Sequence, residues 1–219
     1  RLGFLAGYAN TDLATDFQSL YTNTHSGFIG TYGQVRFGGF NLDASLIGGY
    51  EQNDNNRIVV DNINGFELAE ADYDSYFISP SVTLSSQFKV HEKIALRPSI
   101  TATYSIAWYD DYPETGTTQS NLTIDERTAQ AVVTKLQMVA AYVFGKGSEV
   151  GLLAGGRFRY TINDDVNATL AGTSFRYASS GDDTHFEALV GAHARVSVMD
   201  NLNLTINTQY ALNNGVETN

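Results

Sequence analysis

The chain has 219 residues, with 13 Lys and Arg against 24 Asp and Glu, a formal net charge of −11 and no cysteine. Charged residues make up 17%, below the roughly 25% of ordinary soluble domains, and aromatics 12%. These figures exclude a disordered, collagen-like or helical-repeat chain. They also exclude a nucleic-acid partner, which needs a basic face, and all disulfide, thiol or zinc-thiolate chemistry. No apolar run is long enough for a transmembrane helix. Without an initiating Met or a signal-like start, the chain is expected to begin after processing or in mid-protein.

Helical spacing is nearly absent, whereas period-two alternation recurs along the chain and predicts nine strands, near 1–9, 28–37, 40–50, 76–90, 94–108, 130–144, 149–162, 185–199 and 202–212. In the third, Leu42, Ala44, Leu46 and Tyr50 alternate with Asn41, Asp43 and Ser45. The fourth sets Tyr76, Ile78, Pro80, Val82 and Leu84 against Ser79, Ser81, Thr83 and Ser85. The fifth returns with Ile94, Leu96, Pro98, Ile100, Ala102, Tyr104, Ile106 and Trp108 against Arg97, Ser99, Thr101, Thr103 and Ser105. In the last, Leu204, Ile206, Tyr210 and Leu212 alternate with Thr205, Asn207 and Gln209.

Charge placement sorts the two faces. The apolar face of these strands carries no Asp, Glu, Lys or Arg, while the other carries Arg36, Asp43, Lys89, Arg97, Lys135, Arg157, Arg159, Glu187 and Arg195. An outward Arg or Lys at a bilayer midplane costs about 2–4 kcal/mol, so a lipid-facing wall must exclude it. The polar face is mostly Ser, Thr, Asn, Gly and Arg, which suits a hydrated lumen better than the wet face of a soluble sandwich. The predicted fold class is therefore all-β, a transmembrane antiparallel up-and-down β-barrel.

Connections alternate in length. Tight turns are expected at Gly38-Gly39, His91-Glu92-Lys93, Gly145-Lys146-Gly147-Ser148 and Asp200-Asn201, and long loops near 10–27, 51–72, 110–128 and 163–184. Short periplasmic turns and longer extracellular loops characterise outer-membrane barrels. The long segments hold 17 of the 24 acids. With long loops outside, the outward aromatics sort into two levels: Tyr8, Tyr50, Tyr76, Trp108, Tyr160, Phe186 and Tyr210 at the outer rim, and Phe37, Phe88 and Phe144 at the inner one. Nine is an odd number, and an open edge in hydrocarbon is not viable, so at least one further strand is expected after Asn219 and others before Arg1. Pro80 and Pro98 each remove a ladder donor and call for a bulge or a place above the membrane.

Strand-pattern motifs then carry a resemblance. Gly3-Phe-Leu-Ala-Gly7-Tyr8, Leu42-Asp43-Ala-Ser-Leu-Ile-Gly48-Gly49-Tyr50 followed by Arg57, and Pro80-Ser-Val-Thr-Leu84 belong to it. So do Leu96-Arg97-Pro98-Ser-Ile-Thr-Ala-Thr-Tyr104, Tyr112-Pro-Glu114-Thr-Gly116, Asn121-Leu122-Thr123 and Phe186-Glu187-Ala-Leu-Val-Gly191. Over essentially its whole length the chain resembles the translocator β-domain of bacterial autotransporters. The resemblance implies a 12-stranded outer-membrane barrel that anchors and exports an N-terminal passenger in type V secretion, with these strands as the third through eleventh. It implies as partners outer-membrane lipid and lipopolysaccharide, the covalent passenger and the barrel-assembly machinery. The family's lumen helix, first hairpin and closing strand have no counterpart here, so no cleavage residues are carried over.

No catalytic residue, cofactor or metal is expected. Asp182-Asp183-Thr184-His185 could orient an imidazole for general-base work but reads as an acidic loop entering a strand. Glu51-Gln-Asn-Asp54-Asn-Asn and Asp61-Asn-Ile-Asn are rich in oxygen ligands, yet lack EF-hand spacing and read as solvated loops. His193 is expected to face the lumen. The lumen-lining set of Arg36, Asp43, Arg97, Lys135, Arg157, Arg159, Glu187 and Arg195 either contacts a translocating segment or fills a narrow barrel with ion pairs. The alternatives to a translocator are a channel or adhesin-type barrel with ligand-binding acidic loops, and a soluble all-β binding module.

Overall fold

A computed structural model describes residues 1–15, 19–61, 65–144, 147–163, 165–177, 184–199 and 202–213. It contains β1 (Leu2–Ala14), β2 (Leu20–Phe37), β3 (Phe40–Asp61), β4 (Gly65–Ser86), β5 (Phe88–His91), β6 (Ile94–Tyr109), β7 (Tyr112–Pro113), β8 (Leu122–Ile124), β9 (Arg127–Phe144), β10 (Ser148–Asn163), β11 (Val166–Leu170), β12 (Thr173–Tyr177), β13 (Thr184–Met199) and β14 (Leu202–Asn213). Antiparallel neighbours run β1-β2-β3-β4-β6-β9-β10-β13-β14, with β5 prolonging β4 along β6. A second sheet, β12-β11-β8-β7, is built from the two longest connections. The main sheet curls into a half-barrel, and among the described residues the outer edges of β1 and β14 have no strand partner.

The register converts sequence parity into two faces. Val35, Leu42, Leu84, Ile100 and Leu136 form one row across five strands. On this face Leu84 is 37% exposed, Ile100 44% and Leu136 60%, whereas Ala95, Ala141 and Leu189 on the opposite face are buried to 2% or less. That inverts the burial of a two-layer sandwich, in which large aliphatics fill the centre. Removing such aliphatics from water is favourable at roughly 25 cal/mol per Å², a gain this wall obtains only from an apolar surrounding.

The nine expected strands are all present, but four extend at least five residues beyond the expected limits. β1 and β2 continue into 10–27, and β3 and β4 continue through 51–72, where loops were expected. Asp54 pairs with Asp72 and Val60 with Phe66, so the β3–β4 hairpin projects roughly 35 Å past Tyr50 at about 3.3 Å per residue. The β3–β4 extension mixes polar and apolar residues on each face, Gln52, Asp54 and Asn56 giving way to Ile58 and Val60 on one and Asn53 and Asn55 facing Tyr73 and Ala71 on the other, which erases the regular alternation while leaving the backbone ladder intact.

Neither proline produces a bulge. The register between β4 and β6 is the same on both sides of Pro80, and the ladder omits only Ser79 and Pro80. Pro98 lies where β4 gives way to β5 across Gln87, again with the register preserved, and it keeps its pairing to Met138 on β9. Each missing N–H is therefore absorbed by a skipped pair.

At the tight end, Gly38 and Gly39 both adopt positive φ (51° and 87°), the geometry of a two-residue hairpin that only glycine takes without strain. The expected turns at Gly145-Lys146 and Asp200-Asn201 lie outside the described residues.

Placing Arg at Leu136 should cost about 2–4 kcal/mol of folding free energy in lipid vesicles, whereas Arg at the adjacent, opposite-facing Gln137 should cost far less. Urea titration of both variants checks this, and equal losses would contradict the assignment of faces.

Candidate functional site: the polar inner wall and its outer cap

All eight charged residues singled out in the sequence fall on the more buried, concave face. Asp43, Lys135, Arg157 and Glu187 share a single register row with Gln34, Thr83 and Thr101. Arg159 lies one inward position along β10 from Arg157; Arg36, Arg97 and Arg195 lie on other rows of the same face. Between β4 and β6 this face is a ladder of hydroxyl pairs: Ser79 with Ser105 (3.0 Å), Ser81 with Thr103 (2.9 Å) and Thr83 with Thr101 (2.8 Å).

The strongest cluster centres on Glu149, which the sequence reading did not single out. Arg97 Nη1 and Nη2 donate to the two Glu149 oxygens at 2.7 and 2.5 Å. His193 Nε2 lies 2.9 Å from Glu149 Oε1, and its Nδ1 lies 2.6 Å from Asn207 Oδ1. Arg97 also donates to Gln87 Oε1 (3.3 Å). Ala95, Ala141, Gly151 and His193 occupy one register row, and the small side chains of the first three leave room for Arg97 on β6 to reach Glu149 on β10 across β9. A clue in the sequence was Glu149's inward parity beside Gly151, but partner choice depends on curvature. Glu149 stands opposite Arg195 in register, yet pairs with Arg97 two strands away.

Other members are also paired. Arg157 Nε donates to Glu187 Oε2 (2.5 Å), and Gln34 Nε2 to Asp43 Oδ1 (2.7 Å). Gln137 on β9 donates to Gln209 on β14 (3.2 Å), a chord across two intervening strands. Arg36, Lys135, Arg159 and Arg195 make no ion pair among the described residues.

The outward aromatics divide. Tyr8, Tyr50, Tyr76 and Trp108 lie on one register row with Gly27 between the first two. Tyr160, Phe186 and Tyr210 point the same way but occupy three other rows, opposite Val132, Phe158 and Val190. Phe37, Phe88 and Phe144 are exposed at the tight-turn end.

At the long-loop end, the second sheet encloses a small apolar core of Ala71, Tyr112, Ile124 and Ala168, against which Tyr73, Leu122 and Val166 pack. Tyr73 and Tyr112 stack with centroids 4.2 Å apart. Arg57 Nε and Nη2 donate to both oxygens of Glu114 (2.9 and 2.5 Å), and Nη2 also to Ser120 O (3.0 Å). Glu114 Oε2 in turn accepts from Leu122 N (2.8 Å). Gly116 holds φ +95°, and a Cβ there would stand 2.5 Å from Leu68 O, so only glycine lets this segment lie against β4.

One oxygen-rich candidate from the sequence is taken apart by the fold. Residues 51–56 are strand, which sends Asn53 and Asn55 inward to Thr24 and Thr22 (2.8 Å each) and leaves Asp54 on the other face, so their oxygens do not converge. No metal-competent cluster occurs among the described residues. Asn62–Asn64 and the Asp182-Asp183 pair beside His185 lie outside them.

Glu149→Gln should destabilise the wall by about 1.5–3 kcal/mol, because Arg97 loses a charge-assisted bidentate partner, while Arg159→Gln should change little; thermal unfolding in detergent distinguishes them. In the cap, burial pushes the Tyr112 phenol up to about 12 from 10.0, and Tyr73 adds to the shift. The folded state thus holds this proton more tightly than the unfolded state. The stabilisation is intact below pH 10 and is lost as pH rises towards 12. Absorbance titration should show one tyrosine ionising near 12 that disappears in Tyr112→Phe.

Comparison with known proteins completes the picture. No curated protein matches the sequence. Solved chains do match, among them the translocator domain of autotransporter NalP from Neisseria meningitidis, with a TM-score of 0.73 and 14% identity over 96% of this chain and 67% of that one. At that identity the likeness speaks for the fold. The family described as autotransporter beta-domain matches residues 1–209. The chain therefore belongs to the autotransporter β-domain family, a wall of an outer-membrane β-barrel that translocates an N-terminal passenger.

Proposed function

We propose that the concave face is the surface along which the passenger leaves, and that its unpaired cations are the contacts offered to the moving segment. The observation that carries this is a division within the charged set. Arg97, Arg157 and Asp43 are held by neighbours, whereas Arg36, Lys135, Arg159 and Arg195 make no ion pair among the described residues. Paired charges stiffen the wall; unpaired ones can form transient charge-assisted hydrogen bonds with a passing carboxylate or carbonyl. The wall's work is transport, and no catalytic residue is assigned.

Several features support the finer reading. The long-loop end faces outside, its folded cap resting on the β3–β4 hairpin. Tyr8, Tyr50, Tyr76 and Trp108, with Tyr160, Phe186 and Tyr210, anchor the outer interface to lipid and lipopolysaccharide. The free edges of β1 and β14 pair with further strands of the same protein, since unpaired backbone is untenable in hydrocarbon, and the barrel-assembly machinery inserts the closed product.

Combining Lys135→Glu with Arg159→Glu in the full-length protein should lower surface display of the passenger several-fold while leaving the amount of folded barrel unchanged. Protease shaving of intact cells measures the first and heat-modifiable migration the second. Unchanged display with altered ion selectivity of the purified barrel would favour the channel reading instead.

A further inference from the structure

The lipid-facing wall is not uniform. A groove of about 800 Å³ runs over β1–β4 between Phe4, Ile29, Leu46 and Ile78, with Gly48 in its floor. It is continuous, through Ile29, Gly48 and Ile78, with a second apolar groove of about 550 Å³ that passes Gly27 and ends against Tyr50, Tyr76 and Trp108. Trp108 is shared in turn with a cleft of about 540 Å³ of opposite character, lined by Asp110, Glu126, Asp165, Asn167 and Arg176 among others. One path therefore runs from a greasy channel, past an aromatic shelf, into a charged and amide-lined recess at the long-loop end.

We infer that this path is a binding site for a single glycolipid molecule of the outer leaflet, with an acyl chain in the groove and a sugar headgroup in the cleft. The inference rests on the orientation proposed above, with the long loops outside. Each part of the path matches one part of the ligand. The groove opens onto the wall that already faces hydrocarbon, so an acyl chain is what surrounds it. The residues that would obstruct it are missing: Gly27 and Gly48 leave the floor open, and a Cβ at Gly27 would meet nothing within 4 Å. The recess mixes carboxylates, amides and guanidinium groups. Arg176 is already paired with Asp165, and Arg127 lies over the Tyr109 ring at 4.2 Å. That lining suits sugar hydroxyls, which both donate to carboxylates and accept from amide and guanidinium N–H groups. Trp108 at the junction offers an aromatic body to the apolar portion and an indole N–H to the polar one.

The test uses the full-length protein reconstituted into phosphatidylethanolamine nanodiscs with and without lipopolysaccharide, then extracted and analysed by native mass spectrometry. Wild type should retain glycolipid through washes that remove phospholipid. Gly27→Leu, which puts a side chain into the groove from a position where a Cβ meets nothing within 4 Å, and Arg176→Gln, which alters the recess, should each reduce retention roughly tenfold, about 1.4 kcal/mol. Ala154→Leu, outward on β10 away from the groove, should not. Equal retention by wild type and Gly27→Leu, or phospholipid held as firmly as glycolipid, would overturn the site. Surface labelling of the β3–β4 tip on intact cells reads orientation separately. A tip unreachable from outside would overturn that orientation and the glycolipid source with it, whereas lost retention with a labelled tip and normal passenger display counts against the site alone.

Discussion

Hydrocarbon supplies no hydrogen-bond partner to a peptide group, so a chain that crosses it in strands must satisfy every N–H and C=O through its neighbours. Between its two edge strands the ladder meets that demand with few gaps, and most other features follow from how it is kept. Pro80 and Pro98 are tolerated because each falls on a skipped pair rather than forcing a shift of register. A one-residue slip would have turned the wall inside out, bringing Arg97 and Arg157 to lipid and Leu84 and Ile100 to the lumen. Register, and not any apolar core, is what the wall protects.

Where the ladder leaves the membrane, the physics changes and so does the architecture. Within the wall, most large aliphatics stay exposed, and the buried apolar positions among the described residues are Ala95, Ala141 and Leu189 on the polar face. Above it, the cap has a conventional interior: Ala71, Tyr112, Ile124 and Ala168 shielded from water, with Arg57 and Glu114 fastening one connection to the hairpin. The cap folds as a soluble protein does, by hiding apolar surface, while the wall leaves that surface for lipid to cover.

The inner face combines two kinds of charge. Glu149, held by Arg97 and His193, ties β6, β10 and β13 together and resists deformation of the curve. Lys135 and Arg159, farther along the same inner face, have no ion pair among the described residues. On the proposed reading, the paired charges hold the curve and the unpaired ones meet the passing segment.

Local chemistry was enough to reveal the nine strands of the main wall, its two faces and the tight turn at Gly38-Gly39, but not the four short strands folded from the two longest connections. Period-two alternation and charge exclusion act residue by residue, and both are written in the linear order. The extensions through 10–27 and 51–72 were hidden because polar and apolar residues mix on the same face, as where Asn55 stands opposite Ala71, so no regular alternation remains to betray a strand. Contacts across several strands were hidden for a different reason. Arg97 finds Glu149, Gln137 finds Gln209 and Arg57 finds Glu114 only because the sheet curls and the connections fold back. Curvature is a property of the whole sheet, accumulated over many small twists, and no short stretch of sequence encodes it. Parity along each strand is enough to tell which side faces oil; which charges meet on the other side depends on how the sheet curls.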